Sequence, residues 1–130
     1  MSDTATRLWP TLSFENADTM TDWLQAIGFT PLRVFRTDGD TGSIIHAELL
    51  WPEGGGVMYG THDPDNTLDG RPGQSAIYLV TDDVPGTLTS AVDAGATVVR
   101  DVVEEDFGGQ AATVRDPEGN TWTFGRYQPM

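Results

Sequence analysis

Two histidines, His46 and His62, and a glutamate, Glu48, are the side chains of this chain best suited to hold a metal or move a proton. In SIIHAELLW a strand places Ile45, Ala47 and Leu49 on one face and Ile44, His46, Glu48 and Leu50 on the other. His46 and Glu48 then project side by side. An imidazole beside a carboxylate can serve as acid and base, and adding His62 would give a two-histidine, one-carboxylate iron site. The short spacing and the position of His62 at a linker entrance make that iron site the weaker reading. A hydrogen-bonded histidine in a partly polar cavity accounts for His46 as well as a ligand contact does. The chain has no cysteine, which removes disulfides, thiol catalysis and thiolate zinc sites. Asp63, Asp65 and Asn66 are hard oxygen donors, but they lack the central glycine and terminal bidentate glutamate of a calcium loop.

The elements that must position these groups come from a repeat. WPEGGGVMYG at positions 51–60 recurs as DPEGNTWTFG at 116–125, 65 residues later in a chain of 130. Pro52, Glu53, Gly54 and Gly60 match Pro117, Glu118, Gly119 and Gly125, and Tyr59 matches Phe124. In each copy Pro-Glu-Gly reads as a turn leading into a strand. The flanks repeat too, with a two-residue slip at the helix ends: a short apolar strand, a capping Asn or Asp, an amphipathic helix and a glycine stop. Strands are expected over residues 8–14, 32–36, 43–51 and 57–60, then 76–80, 98–103, 111–115 and 121–127. Asn16 or Asp18 caps a helix that buries Met20, Trp23, Leu24 and Ile27 and stops at Gly28; Asp83 caps a second over residues 84–93, stopped by Gly95. The order is βαβββ, twice. Module 1 spans about 8–61, a turn-rich linker 62–74, and module 2 about 75–128. Halves of ~65 residues are marginal alone and are expected to pair.

Composition narrows the partners. Seven arginines and no lysine stand against 20 acidic residues, a formal charge of −13. That field repels nucleic acid and anionic membranes and attracts cations. It also keeps a protein in solution, the commoner reason for such a balance. No apolar run approaches the ~18 residues of a membrane span, and MSDTATRLWP lacks the regions of a signal peptide, so a cytoplasmic location is expected.

Paired βαβββ modules, a second helix running into DAGATVV, and RDPEGNTWTFGRY together resemble the vicinal oxygen chelate superfamily, which includes glyoxalase I, extradiol dioxygenases and fosfomycin and bleomycin resistance proteins. IHAELLW with RDPEGN is similar to its small bleomycin-resistance-like branch. The resemblance covers nearly the whole chain and implies an α+β fold whose curved mixed sheets pair into cup-shaped cavities, within one chain or across a homodimer. It also implies a divalent metal held by His and Glu from the first and last strands of each module. Carried onto this sequence, those positions are Pro10 or Thr11, Met58, Ser75 or Ala76, and Thr123. None is a metal ligand in kind, so no metal and no cofactor are expected.

Alternation along the strands gives the expected lining of the cup. Leu32 and Val34, with Ile77 and Leu79, are assigned to the core. Arg33, Phe35, His46, Glu48, Met58, Tyr78, Thr113, Arg115 and Thr123 are left for the ligand. Trp51 and Phe107, at strand ends, either lid the core or stack on a flat ligand at the rim, Phe107 beside the acidic run Glu104, Glu105 and Asp106. Apolar and thioether surface with few polar groups is ligand-pocket chemistry. Two functions follow. One is non-enzymatic sequestration of a bulky, largely aromatic and cationic natural product or antibiotic. The other is a glyoxalase- or dioxygenase-type enzyme using a relocated metal, or His46 with Glu48 as acid and base.

Overall fold

The computed structural model describes residues 6–39, 41–66, 71–106 and 108–129. The order is β1 (Thr11–Phe14), α1 (Ala17–Ile27), β2 (Thr30–Arg36), β3 (Ile44–Leu50), β4 (Gly56–Thr61), β5 (Ala76–Val80), α2 (Val84–Asp93), β6 (Thr97–Glu104), β7 (Gln110–Arg115) and β8 (Thr121–Gly125). The strands form two open four-stranded sheets, ordered β1-β4-β3-β2 and β5-β8-β7-β6. Each is mixed, because its first strand runs parallel to its last and the remaining pairs are antiparallel. The chain divides into two compact units, Met1–Arg71 and Pro72–Met130, with one βαβββ set in each. This is the α+β architecture expected from the repeat. Among the described residues no helix is long and apolar enough to cross a membrane.

In the first unit the Asn16 carboxamide accepts from the Thr19 backbone N–H and starts α1, and Gly28, at φ 127°, ends it. The apolar stripe of Met20, Trp23, Leu24 and Ile27 is buried against Leu12, Phe14, Ala47, Leu49, Val57 and Tyr59, which alternate along β1, β3 and β4. Phe14 and Tyr59 meet at 4.8 Å, and the Tyr59 hydroxyl lies 2.6 Å from Thr21 Oγ1. The alternate residues on these strands form the sheet's other, open face.

The second unit follows the same plan. Asp83 caps α2 by accepting from the Gly86 N–H, and Trp122 and Phe124 are fully buried. Its turn is locked by Asp116. That buried carboxylate accepts from the Glu118 and Asn120 N–H groups at 2.8 and 3.0 Å, from Asn120 Nδ2 at 3.0 Å and from Trp122 Nε1 at 2.8 Å. Asn120 Oδ1 in turn accepts from the Ser75 N–H at 3.0 Å and holds the start of β5. Within the run DPEGNTW the side chains of Asp116, Asn120 and Trp122 thus hold one another and the turn in place.

Strict alternation fails at two places. In β3 Ile45 is an extra residue, since Phe35 pairs with His46 but Arg36 pairs with Ile44. The bulge turns Ile44 into the core, where it is 1% exposed, and leaves Ile45 at 59%. Leu32 is bulged likewise between Pro31 and Arg33, and β2 is an edge strand. Leu32 and Val34, assigned by alternation to the core, are consequently exposed in the chain. Ile77 is half-buried, while Leu79 beside it is in the core.

Candidate functional site

Register places open-face side chains in rows across each sheet. In the first unit Thr11 pairs with Met58, Met58 with Glu48, and Glu48 with Arg33. Phe35 lies opposite His46 in the next row, ring centroids 6.2 Å apart. His46 Nε2 sits 2.9 Å from Glu48 Oε2, so the imidazole and carboxylate do project side by side and engage each other. Six side chains thus share one surface: a thioether, a phenyl ring, a hydroxyl, an arginine and a His-Glu pair.

In the second unit Tyr78 pairs with Thr123, Thr123 with Thr113, and Thr113 with Arg100. The two threonine hydroxyls lie 2.9 Å apart. The Tyr78 hydroxyl donates to the Tyr127 carbonyl at 2.8 Å, and its ring crosses Gly125, where any Cβ would collide with it. Burial is the largest influence on this phenol and raises its pKa. Arg100 Nη1 pairs with Glu105 Oε1 at 2.8 Å.

The rows correct the positions carried over by the 65-residue offset. Thr11 sits beside Met58, but the residue beside Thr123 is Tyr78, with Ala76 two residues back beside Thr121. The offset is 67 on the first strand, helix and second strand, as Asn16 to Asp83 and Gly28 to Gly95 also show, and 65 only after the β2–β3 hairpin. The second unit's hairpin is shorter by those two residues. Arg33 therefore corresponds to Arg100, a site residue missed by sequence reasoning but recoverable from the slip.

Two cavities lie over these surfaces. One, of about 440 Å³, is in the first unit, with Thr11, His46, Met58, Gly60, His62 and Asp63 in its wall. The other, of about 200 Å³, is in the second and is lined by Tyr78, Arg100, Glu105, Gln110, Thr113 and Thr123 among others. Arg33, Phe35 and Glu48 share the open face of the first unit without lining its cavity, and Arg115 is exposed on the last pair of its row with Thr121. Trp51 lies elsewhere. It is 7% exposed and tilts onto Phe29 at 5.0 Å, a lid on the core and not a ligand platform. Phe107 falls outside the described residues.

The metal implied by the resemblance can be tested against these donors. Thr11 and Met58 in one row, and Tyr78 and Thr123 in the other, offer a thioether and neutral hydroxyls where imidazole and carboxylate are needed. Among the described residues no three His, Asp or Glu side chains converge to hold an ion. The residues present do not fit the family's divalent metal.

Fold and site now stand beside known proteins. The family model of the glyoxalase At5g48480-like C-terminal domain matches residues 76–125. An uncharacterized Mycobacterium bovis protein, Mb0911c, is 31% identical, with 75% of this chain and 68% of that protein covered. Uncharacterized Mycobacterium tuberculosis proteins match at the same identity, and there the chain spans 61% of their length. Among solved structures, TioX from Micromonospora sp. ML1 superposes with a TM-score of 0.72 at 26% identity, over 95% of this chain and 100% of that one. A bleomycin-binding protein complexed with bleomycin superposes with a TM-score of 0.64 at 15% identity, again over 95% and 100%. The chain belongs to the vicinal oxygen chelate superfamily, whose members in this set include binding and resistance proteins and glyoxalase-family proteins.

Proposed function

We propose that this protein binds and sequesters a bulky, largely aromatic small molecule without converting it, as a resistance or self-protection protein does. The observation that carries this reading is the 440 Å³ cavity over an open face whose metal positions are occupied by Thr11 and Met58. Its volume falls within the ~300 to 1,000 Å³ of small-molecule sites. Met58 supplies an adaptable, polarisable wall, and half-exposed Phe35 a stacking surface one strand from His46. The neighbour of the same fold that is complexed with bleomycin supports a small-molecule-binding reading. The ligand is an antibiotic or related natural product, and the acidic surface favours a cationic one.

Assembly as a homodimer belongs to this reading. Leu32 and Val34 on edge strand β2, and Val98 and Val99 on edge strand β6, are exposed in the single chain. Exposed apolar edges are liabilities that proteins cover. Sedimentation should give twice the 14.1 kDa chain mass. A strict monomer would overturn the dimer and leave ligand binding to be judged separately.

The His46–Glu48 contact at 2.9 Å favours one second reading, acid and base catalysis on the same face. Titration with the cationic dye acridine orange separates the two. For a sequestering surface, Phe35→Ala and Met58→Ala each weaken binding by roughly 1 to 3 kcal/mol, while His46→Ala costs much less. For a catalyst, His46→Ala or Glu48→Gln lowers turnover of the bound compound about a hundredfold with binding retained. Turnover by the wild type, lost at His46, would sink the sequestration reading.

A further inference from the structure

Both units carry the same β-bulge, and in both it sets an arginine on the open face. In β2 Leu32 is the extra residue between the pairs Pro31–Leu49 and Arg33–Glu48. In β6 Val99 is the extra residue between Val98–Val114 and Arg100–Thr113. Without it Val99 would oppose Thr113, and Arg100 would fall opposite Ala112, which is 0% exposed and in the core. Of the four positions in each row, this arginine is the only one that the two units share. A bulge that re-aims a side chain is a feature of functional surfaces.

In the second unit that arginine stands at a cavity. Thr113 and Thr123 alternate with Val114, Trp122 and Phe124, all fully buried, so the row Tyr78, Thr123, Thr113 and Arg100 faces away from the core. All four line the cavity of about 200 Å³. The Arg100 side chain is 55% exposed and therefore open to a ligand, whereas that of Glu105, its ion-pair partner, is 13% exposed. Glu105 is fixed just past β6, its N–H donating to the Gly109 carbonyl at 2.8 Å. The preceding Glu104 pairs with Gln110, so the ion pair draws the guanidinium toward the Gln110–Ala111 end of β7. The Tyr78 ring crosses Gly125, the partner of Ala111. Ring and guanidinium thus reach toward the same end of the sheet.

Arg100 and Glu105 are the only ionic side chains in the described lining, and their charges cancel. A carboxylate brought to Arg100 would also meet Glu105, and a cation would meet Arg100 in front of it. An uncharged ligand meets neither repulsion. A guanidinium only donates, so the group it receives must accept, as a carbonyl oxygen does. The Tyr78 ring adds a flat apolar surface. The volume lies below the ~300 to 1,000 Å³ of drug-sized sites, which restricts the ligand to about one ring.

We propose that the second unit's cavity is a ligand site of its own, in which Arg100 donates to the carbonyl oxygen of an uncharged, single-ring aromatic compound. Glu105 is the positioning residue that holds Arg100 and cancels its charge. The site is separate from the cavity of the sequestration reading and does not rest on it.

The test titrates the full chain with benzamide, benzoate and benzamidinium, three planar compounds of the same shape that differ in charge, followed by ¹H–¹⁵N NMR. Benzamide should move the Arg100 Nε–H and the Thr113 and Thr123 amide resonances. Benzamidinium, which has no acceptor, should bind about tenfold more weakly, the scale of one hydrogen bond to a charged group. Benzoate should also bind more weakly than benzamide. Arg100→Met, which keeps the stem and removes the donors, should weaken benzamide by about tenfold. Glu105→Gln should turn the preference to benzoate, a reversal that a merely structural role would not produce. The order of the three compounds on the wild type needs no variant and stands as a test if a variant fails to fold. Benzoate or benzamidinium binding the wild type as well as benzamide, shifts confined to the first unit, no binding of any of the three, or benzamide binding unchanged in Arg100→Met would each overturn the site. None of these outcomes would touch the sequestration reading, which acridine orange tests at Phe35 and Met58.

Discussion

Replacing Asp116 by alanine removes the acceptor for four donors at once: the Glu118 and Asn120 N–H groups, Asn120 Nδ2 and Trp122 Nε1, at 2.8 to 3.0 Å. Asn120 is 1% exposed and Trp122 fully buried, so three of these donors cannot turn to bulk water. A buried donor left unmade costs about 1 to 3 kcal/mol, and bonds to a charged acceptor lie toward the upper end. The three share one carboxylate and will not add fully. A loss of roughly 3 to 5 kcal/mol is expected, a large part of the ~5 to 15 kcal/mol that holds a domain folded. Trp122→Phe removes a single donor, leaves the other three in place and should cost roughly 1 to 2 kcal/mol. Asp116→Asn keeps the shape but turns an amide N–H₂ toward donors on one side, so it should fall nearer to alanine than to wild type. Urea unfolding followed by tryptophan fluorescence and by far-UV circular dichroism gives these differences. If Asp116→Ala lost less than about 1 kcal/mol, the turn would not depend on its carboxylate, and the structural reading of DPEGN would be wrong.

Three further outcomes follow from the same physics. Burial holds the Tyr59 phenol up at about 12, against 10.0 for the free group. The unfolded chain ionises first, so the contribution of Tyr59 is intact below pH 10 and is lost as pH rises toward 12, by about 2 to 3 kcal/mol in all. Tyr59→Phe should flatten that alkaline slope in pH-dependent unfolding, and an unchanged slope would show that another group sets it. The Arg36 guanidinium, 2.6 Å from the Asp18 carboxylate, lowers the pKa of that exposed acid through a hydrogen bond. Its stabilising effect is present at neutral pH and lost on acidification, so Arg36→Gln should raise the Asp18 titration midpoint measured by NMR, with little change in stability. If the charge of −13 steers a cationic ligand, acridine orange should associate more slowly as salt rises while 1-naphthol is unaffected, because charges are screened beyond about 8 Å at physiological ionic strength. Salt-independent association of both would reduce the acidity to a solubility feature.

Much of the fold was legible because local chemistry and packing agree. Asn16 and Asp83 begin helices for the same reason they would in isolated peptides, and Gly28 ends one where only a positive φ closes the turn. Trp23, Trp122 and Phe124 fall on the core side through simple periodicity. The errors share another cause. A bulge adds one residue to a strand without marking its composition, and every side chain past it changes face; Ile44 and Ile45 exchanged sides for this reason. Leu32 and Val34 look like core residues because they are apolar, but an edge strand can carry apolar residues that its own chain does not bury. Arg100 lies between two register shifts in β6 and pairs with Glu105 just past the strand, a contact that residue type does not reveal. His62 read as a linker residue until backbone bonding showed it continuing β4.

The repeat also separates what identifies this chain from what it recognises. Core positions are chemically matched between the units: Leu12 with Leu79, Tyr59 with Phe124, both members of each pair buried. In the DPEGN motif, which carried most of the resemblance, the Asp116 carboxylate and the Asn120 side chain are taken up by the turn's own hydrogen bonds. Open-face positions are not matched. Thr11 corresponds to Tyr78, Met58 to Thr123 and Glu48 to Thr113, with only Arg33 and Arg100 alike. One face thus presents a thioether and a carboxylate, the other a phenol ring and a pair of hydroxyls that satisfy each other. A fold maintained through its core and turn leaves such rows free to differ, since a solvent-facing substitution costs little stability. Ligand specificity must therefore be sought in the rows, and a family match resting on the motif cannot by itself assign it.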